Sequence, residues 1–234
     1  MKILYQDDHY VAVHKPSGLL VHRSPIDKLE TRFAVQIVRD QIGQRVYPCH
    51  RLDKPTSGVL LFALNREALQ AANELFAEHK VHKKYTALVR GWIEGEGEIN
   101  HTLKGIEDAG ELRGGGEPQD AVTRYKCLHQ YELMESSGAY PTSRYSLVEL
   151  SPLTGRTHQL RRHMKHLSHH MIGDTRYGDG RQNRFFRERF DCHRLMLQAI
   201  EMELSGHLEH DTIKIKSELD ADIKRVIDRL PLRA

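Results

Sequence analysis

The sequence predicts an α+β fold. Segments with the two-residue period of strands mix with segments that carry an apolar helical stripe. The two kinds do not alternate regularly, which disfavours a doubly wound parallel sheet. Hydrophobic residues make up 39% and charged residues 29% of the 234 positions, a balance that suits a soluble chain with a core of its own.

The elements follow in order. Residues 10–14 (Tyr-Val-Ala-Val-His) alternate as a half-buried strand, and Lys15-Pro16-Ser17-Gly18 breaks it. Residues 32–42 place Val35, Val38 and Ile42 on one helical face, with Thr31 in position to cap the helix. Residues 59–64 form a continuous apolar run and predict a buried strand. Asn65 can then cap a helix whose stripe is Ala68, Leu69, Ala72, Leu75 and Phe76, with His79 and Lys80 at its C-terminal end. Residues 84–92 alternate again, with Tyr85, Ala87 and Val89 on one side.

Residues 105–118, centred on Gly114-Gly115-Gly116, predict a mobile loop between strands. Residues 145–150 predict a strand, and Pro152 and Gly155 a turn. Next comes a helix with Leu160, Met164 and Leu167 inward and His158, Arg161, Arg162 and Lys165 on its polar face. Strands over 195–204 and 212–217 and a helix over 222–230 complete the chain. There is no internal repeat, so a single domain over 1–234 is expected.

Composition excludes several classes. No apolar run is long enough to span a bilayer, and the N-terminus turns acidic too early for a signal peptide. Cys49, Cys127 and Cys192 are sparse and odd in number, which fits reduced thiols in a cytoplasm. Phosphate-loop, dinucleotide and nucleophile-elbow signatures are absent. The histidines at 158, 163, 166, 169 and 170 lack metal-ligand spacing and a nearby carboxylate, so no metal is expected. The formal net charge is only +3. Yet residues 151–170 hold Arg156, Arg161, Arg162 and Lys165 with no Asp or Glu. Arg176, Arg181, Arg184, Arg187, Arg189 and Arg194 then follow against Asp179, Glu188 and Asp191. A local basic region in a balanced chain fits an anionic partner such as a nucleic-acid backbone, or a solvated charged face.

Two segments carry the candidate chemistry. In His50-Arg51-Leu52-Asp53-Lys54-Pro55-Thr56-Ser57-Gly58 a carboxylate sits in a turn just ahead of the apolar run. A strand end can hold such a side chain rigidly toward a cleft. Arg51, two positions earlier, can share a face with Asp53 and keep it ionised; a local ion pair that fixes the turn is the plainer alternative. The second segment, residues 151–163, opens a helix with Thr157, His158 and Gln159 as uncharged donors among the cations.

The first segment resembles the catalytic-aspartate motif of the RluA-type pseudouridine synthases. Residues 14–22 resemble the N-terminal motif of that family, and Lys84-Tyr85-Thr86-Ala87-Leu88-Val89-Arg90-Gly91 its tyrosine motif. Residues 150–163, then Ile172-Gly173-Asp174 and Tyr177-Gly178, resemble its arginine motif. Residues 21–24, 140–145 and 178–184 look most like the branch that modifies a T-stem uridine of tRNA, at position sixty-five. Departures are His170-Met171-Ile172 where Pro-Ile is usual before the Gly-Asp pair, and Leu197-Gln198-Ala199 where Leu-His-Ala is usual.

The resemblance implies a central mixed, mostly antiparallel sheet flanked by helices and loops, with no separate N-terminal RNA-binding domain. It implies isomerisation of uridine without cofactor or metal, by a monomer acting on RNA, tRNA before ribosomal RNA. Asp53 would act on the sugar, Arg161 would pair with it, and Tyr85 would stack on the base. Arg51 would fill the RNA stack or touch phosphate, and Leu150, Leu160 and Ile172 would build apolar walls. Arg156, Arg162, Lys165, Arg181 and Arg184 would meet phosphates. A protein that binds RNA in the same cleft without turnover is the alternative from another class. One carboxylate fits a rearrangement better than hydrolysis, which normally needs a second carboxyl group to handle water.

Overall fold

The structure is a computed structural model that describes residues 1–23, 30–106, 116–207 and 210–233. Its strands are β1 (Ile3–Gln6), β2 (Tyr10–Lys15), β3 (Tyr47–Pro48), β4 (Ser57–Ala63), β5 (Val81–Arg90), β6 (Glu96–Asn100), β7 (Leu103–Lys104), β8 (Pro118–Gln119), β9 (Val122–Leu133), β10 (Ser143–Pro152), β11 (Leu197–His207) and β12 (His210–Lys216). Its helices are α1 (Ala34–Ile42), α2 (Arg66–Ala77), α3 (Gln159–His166), α4 (Gly180–Phe190) and α5 (Ala221–Ile227). The fold is α+β with a large, mostly antiparallel sheet flanked by helices. No described helix is long and apolar enough to cross a membrane. The chain divides into two compact units.

The first unit holds residues 1–83, 104–118 and 199–218. Its strands run in the order β1-β2-β4-β11, with β12 on β11 and β3 on β4. Antiparallel β2 and β4 pair from Tyr10↔Ala63 to Lys15↔Gly58. Every residue of β4 is buried, as its unbroken apolar run requires. Helix α2 covers the sheet with Ala68, Ala72 and Leu75, which pack among Tyr10, Leu61, Met202 and Ile213. Asn65 caps α2 by accepting from the Ala68 N–H at 2.8 Å. Helix α1 starts two residues later than the sequence predicts, and Thr31 does not cap it. Its first N–H groups, on Ala34 and Val35, bond instead to the carbonyls of Leu20 and Val21.

The second unit holds residues 84–103, 119–198 and 219–234. Its strands run β5-β10-β9-β6, all antiparallel. Its core joins Leu88, Tyr131, Tyr145, Leu147, Ile172 and Met196 to Phe186 and Phe190 of α4 and to Ile223 and Val226 of α5. Helix α4 is absent from the sequence expectation. Asp179 caps it through the N–H groups of Arg181 and Gln182, at 2.9 and 3.4 Å. The predicted loop at 105–118 lies largely outside the described residues; β7 and β8 pair with each other at its two ends.

Candidate active site

In the first unit, Asp53 opens a turn that ends where β4 begins. Its carbonyl accepts from the Thr56 N–H at 3.0 Å. The carboxylate residue is half-buried, Arg51 is exposed, and Leu52 between them is buried. The Lys15-Pro16-Ser17-Gly18 breaker braces this turn. Gly18 donates its N–H to the Lys54 carbonyl at 2.8 Å, and Ser17 its hydroxyl to the Pro55 carbonyl at 2.7 Å. Lys15 is wholly buried and donates to the carbonyls of Leu19, Pro16 and Lys54 at 2.7, 3.1 and 3.2 Å. A buried ammonium thus ties the two loops together. Lys15→Met is expected to cost about 3 kcal/mol, the order expected when buried carbonyls lose a charged donor. A shift in the urea midpoint at unchanged slope measures it.

Two neighbours fix the strand behind the turn. Gly58 has φ +108°, and a Cβ there would sit 2.0 Å from the Ala199 carbonyl oxygen, so only glycine fits. His50 accepts from the Leu61 N–H through Nε2 at 3.0 Å, which requires a neutral ring. Burial, and then the Lys83 charge, push its pKa down to about 3.

In the second unit, the sequence places Arg161 on the polar face of its helix, but the structure buries it. The residue is 5% exposed and forms a forked pair with Asp174, Nε to Oδ2 and Nη2 to Oδ1, both at 2.8 Å. Asp174 also accepts the N–H groups of Arg176 and Tyr177 at 2.9 Å each. Burial alone would raise its carboxyl pKa. The Arg161 bonds and charge and the two N–H groups more than offset that and hold it below the usual carboxylate range. Gly173, φ +79°, passes so close to Arg194 that a Cβ would lie 1.8 Å from that carbonyl oxygen. Asn183 of α4 clamps the same loop, accepting from the Gly173 N–H and donating to the Asp174 carbonyl, each at 2.8 Å.

Gln159 anchors the start of α3. Its amide nitrogen donates to the Val122 carbonyl and Thr123 Oγ1, and its oxygen accepts from Thr154 Oγ1 and the Arg156 N–H. His158 takes the left-handed conformation, φ 55°, and its Nδ1 lies 3.0 Å from the Tyr177 hydroxyl. Tyr85, 9% exposed, stands on β5 opposite Leu150 of β10, which is fully buried. Leu160 is 7% exposed, and Ile172 lies within the core of the unit.

Asp174 and Asn183 are the residues whose positioning role sequence reasoning missed. Asp174 had a signal in the Gly173-Asp174 pair; Asn183 had none beyond its place in residues 178–184. The two departures are accommodated locally. His170 Nδ1 bonds the Tyr177 carbonyl at 2.8 Å, and buried Gln198 accepts from the Asp220 N–H at 2.9 Å.

The basic stretch divides. Arg189 pairs with Glu135, and Arg194 with Asp220 and Asp222. Arg156 is exposed and donates to the Asp120 carbonyl at 2.9 Å. Arg181 and Arg184 are exposed on α4, and Lys165 is exposed on α3 with its ammonium 6.0 Å from the Tyr177 ring centre. None of these last three meets a carboxylate among the described residues. Such cations are available to an anionic ligand. No group of three potential metal ligands occurs among the described residues.

Comparison with known proteins sets these motifs in context. The family model described as RNA pseudouridylate synthase matches residues 9–166. A Haemophilus ducreyi protein named tRNA pseudouridine synthase C is 53% identical over 222 residues, covering 94% of this chain and 91% of that one. A Vibrio parahaemolyticus protein of the same name is 49% identical over 235 residues, covering 98% and 94%. The solved structure titled Human RNA Pseudouridylate Synthase Domain Containing 1 is similar with a TM-score of 0.74 and 28% identity, over 99% of this chain and 88% of that one. Family match, near-full-length relatives and fold agree with the order of the four motifs, and the chain belongs to the RNA pseudouridylate synthase family, isomerases that convert uridine to pseudouridine.

Proposed function

We infer that this isomerase acts on tRNA, at the T-stem uridine of position sixty-five, with Asp53 as its catalytic carboxylate. The observation that carries the tRNA reading is the 45–53% identity to relatives named tRNA pseudouridine synthase C. In the reaction the N1–C1′ bond breaks and a C5–C1′ bond forms. The C5 proton leaves and N1 gains one, so no atom is lost overall.

Asp53 attacks C1′, stabilises its developing charge or removes the C2′ proton. The departing uracil anion spreads its charge over O2 and O4 and needs hydrogen bonds more than a strong acid. Arg161 serves as the arginine of its motif, and Asp174 fixes its fork. Tyr85 stacks on the base and assists loss of the C5 proton. Leu150, Leu160 and Ile172 supply apolar surface that limits water, so that the base recaptures the sugar before hydrolysis. Arg51, Arg156, Arg162, Lys165, Arg181 and Arg184 meet the RNA, whose target nucleotide must leave its stack at a cost of roughly a few kcal/mol.

Mapping pseudouridine in total RNA from cells lacking the gene tests the substrate. The expected result is loss at one T-stem position in tRNAs, restored when the gene returns. Loss confined to ribosomal RNA, with every tRNA T-stem unchanged, would move the assignment to ribosomal RNA.

A further inference from the structure

Two of the histidines considered above as metal ligands, His163 and His166, join His101 in a cluster of a different kind. His101, just after β6, and His166, in the last turn of α3, stack with ring centres 3.7 Å apart and planes at 12°. His163 meets His101 edge-on at 6.4 Å. It is fully buried, with Nε2 on the His101 carbonyl at 3.1 Å and Nδ1 on Thr123 Oγ1 at 2.9 Å. A carbonyl only accepts, so Nε2 carries the proton, and with the threonine hydroxyl donating to Nδ1 the ring is neutral. Two rings lying face to face cannot aim their lone pairs at one ion, which argues against a metal here.

Among the described residues, the charges that act on the stack are all of one sign. Burial lowers the pKa of His101, and the charges of His166 and Arg162 lower it further. His163 feels burial first and then the same neighbours, partly offset by its bond to the His101 carbonyl. Arg162 is half-buried and is itself pushed down by burial and by Arg176, with Tyr177 opposing. Its one hydrogen bond among the described residues goes to the Thr157 carbonyl at 3.5 Å, and no carboxylate pairs with it there. Lys165 is the next exposed cation on the same helix. Like charges gathered without a counter-charge cost stability, and an anion removes that cost.

We propose that His101, His166 and Arg162 form a binding site for one phosphodiester of the RNA substrate, and that RNA seated there draws a proton onto His101. The proposal rests on the RNA reading above and adds which residues grip the backbone and how pH tunes the grip. In the free protein, burial and then the charges of His166 and Arg162 disfavour the protonated form of His101. A phosphate beside it favours the charged form and raises its pKa in the complex. Affinity therefore rises as pH falls through the value in the complex, and levels off below the value in the free protein.

The test is the Kd of the purified protein for a tRNA transcript at constant ionic strength, at about pH 6 and about pH 8, the range in which histidine titrates. Wild type is expected to bind about fivefold to tenfold more tightly at the lower pH, the low end of a typical coupling between two sites. His101→Asn with His166→Asn is expected to bind with the same Kd at both. Arg162→Gln is expected to weaken binding at both and to reduce the log–log salt slope by about 0.7–0.9, one phosphate contact. Thermal melting of each variant confirms that it is folded, and the single histidine variants replace the double one if that fails to fold. Tight tRNA binding by wild type without pH dependence overturns the proposal, as does pH dependence that survives in the histidine variants. If inorganic phosphate alone binds with this pH dependence and tRNA does not, the site belongs to a free anion and the RNA assignment falls. Absence of any tRNA binding overturns the proposal together with the RNA reading, a failure distinct from the others.

Discussion

Asp53→Asn is expected to abolish turnover, by on the order of 10⁴-fold or more, the scale seen when one member of a concerted catalytic set is removed. The same variant is expected to keep its tRNA affinity within about a factor of three, because the amide has the shape of the carboxylate and no phosphate-binding cation is lost. Single-turnover assays with excess enzyme, paired with filter binding, separate the two. The turn that carries Asp53 is held by backbone bonds from Gly18 and Thr56 and by Lys15, none of which needs the carboxylate. A folded, tRNA-binding, inactive protein is therefore the expected product. Equal loss of binding and turnover would point to a collapsed turn instead.

Asp174→Ala is expected to destabilise the protein by about 3–5 kcal/mol, because it leaves the Arg161 guanidinium buried without its partner. In a chain of this size that corresponds to a fall of roughly 10 °C in Tm. The two N–H groups of Arg176 and Tyr177 also lose their acceptor. The pH dependence has a definite sign. The Asp174 carboxyl lies below its unfolded value, so its contribution is complete above about pH 4. It is lost as pH falls through the lower folded value. Melting curves taken downward from about pH 5 should show wild type losing its advantage over Asp174→Ala. A constant gap between the two across that range would contradict the buried pair as its source. Turnover should fall as well, since Arg161 loses the fork that aims it.

The parts of the fold that sequence made visible are those where local pattern and burial agree. The β4 run is apolar throughout because both faces are covered. Helix α2 has a stripe and a cap that point to the same start. Helix α4 escaped because its sequence, Gly-Arg-Gln-Asn-Arg-Phe-Phe-Arg-Glu-Arg-Phe, is dominated by polar and charged residues, with Phe186 and Phe190 as its fully buried apolar anchors. Strand β9 escaped for a related reason. Arg124, Lys126 and His129 lie on a strand whose buried positions are few and separated, so the two-residue period is faint. Only the start of helix α1 differs from the sequence reading, because its first N–H groups are satisfied by distant backbone, which no local residue announces.

The candidate site divides along the same line. Asp53 stands out in the sequence by its turn ahead of a buried strand, whereas Tyr85 and Arg161 stand out only through the family motifs that carry them. Arg161 in particular looks like one more cation on a polar face. Its burial depends on Asp174, thirteen positions later, and on a loop that Gly173 and Asn183 hold in place. Pairing across that distance is a tertiary fact. The histidines illustrate the converse. Their spacing in sequence excluded a metal, but the ring stack that gives His101 and His166 a role joins residues sixty-five positions apart.

Release of tritium from C5 of uridine in tRNA tests the central claim most directly, because that hydrogen leaves only when the base rejoins the sugar through C5. Purified wild-type protein, with no added cofactor, is predicted to release one equivalent per tRNA and to leave a single pseudouridine in the T-stem. Asp53→Asn is predicted to release none while still binding the tRNA. No release by the folded wild-type protein, or release by Asp53→Asn at the wild-type rate, would contradict the account.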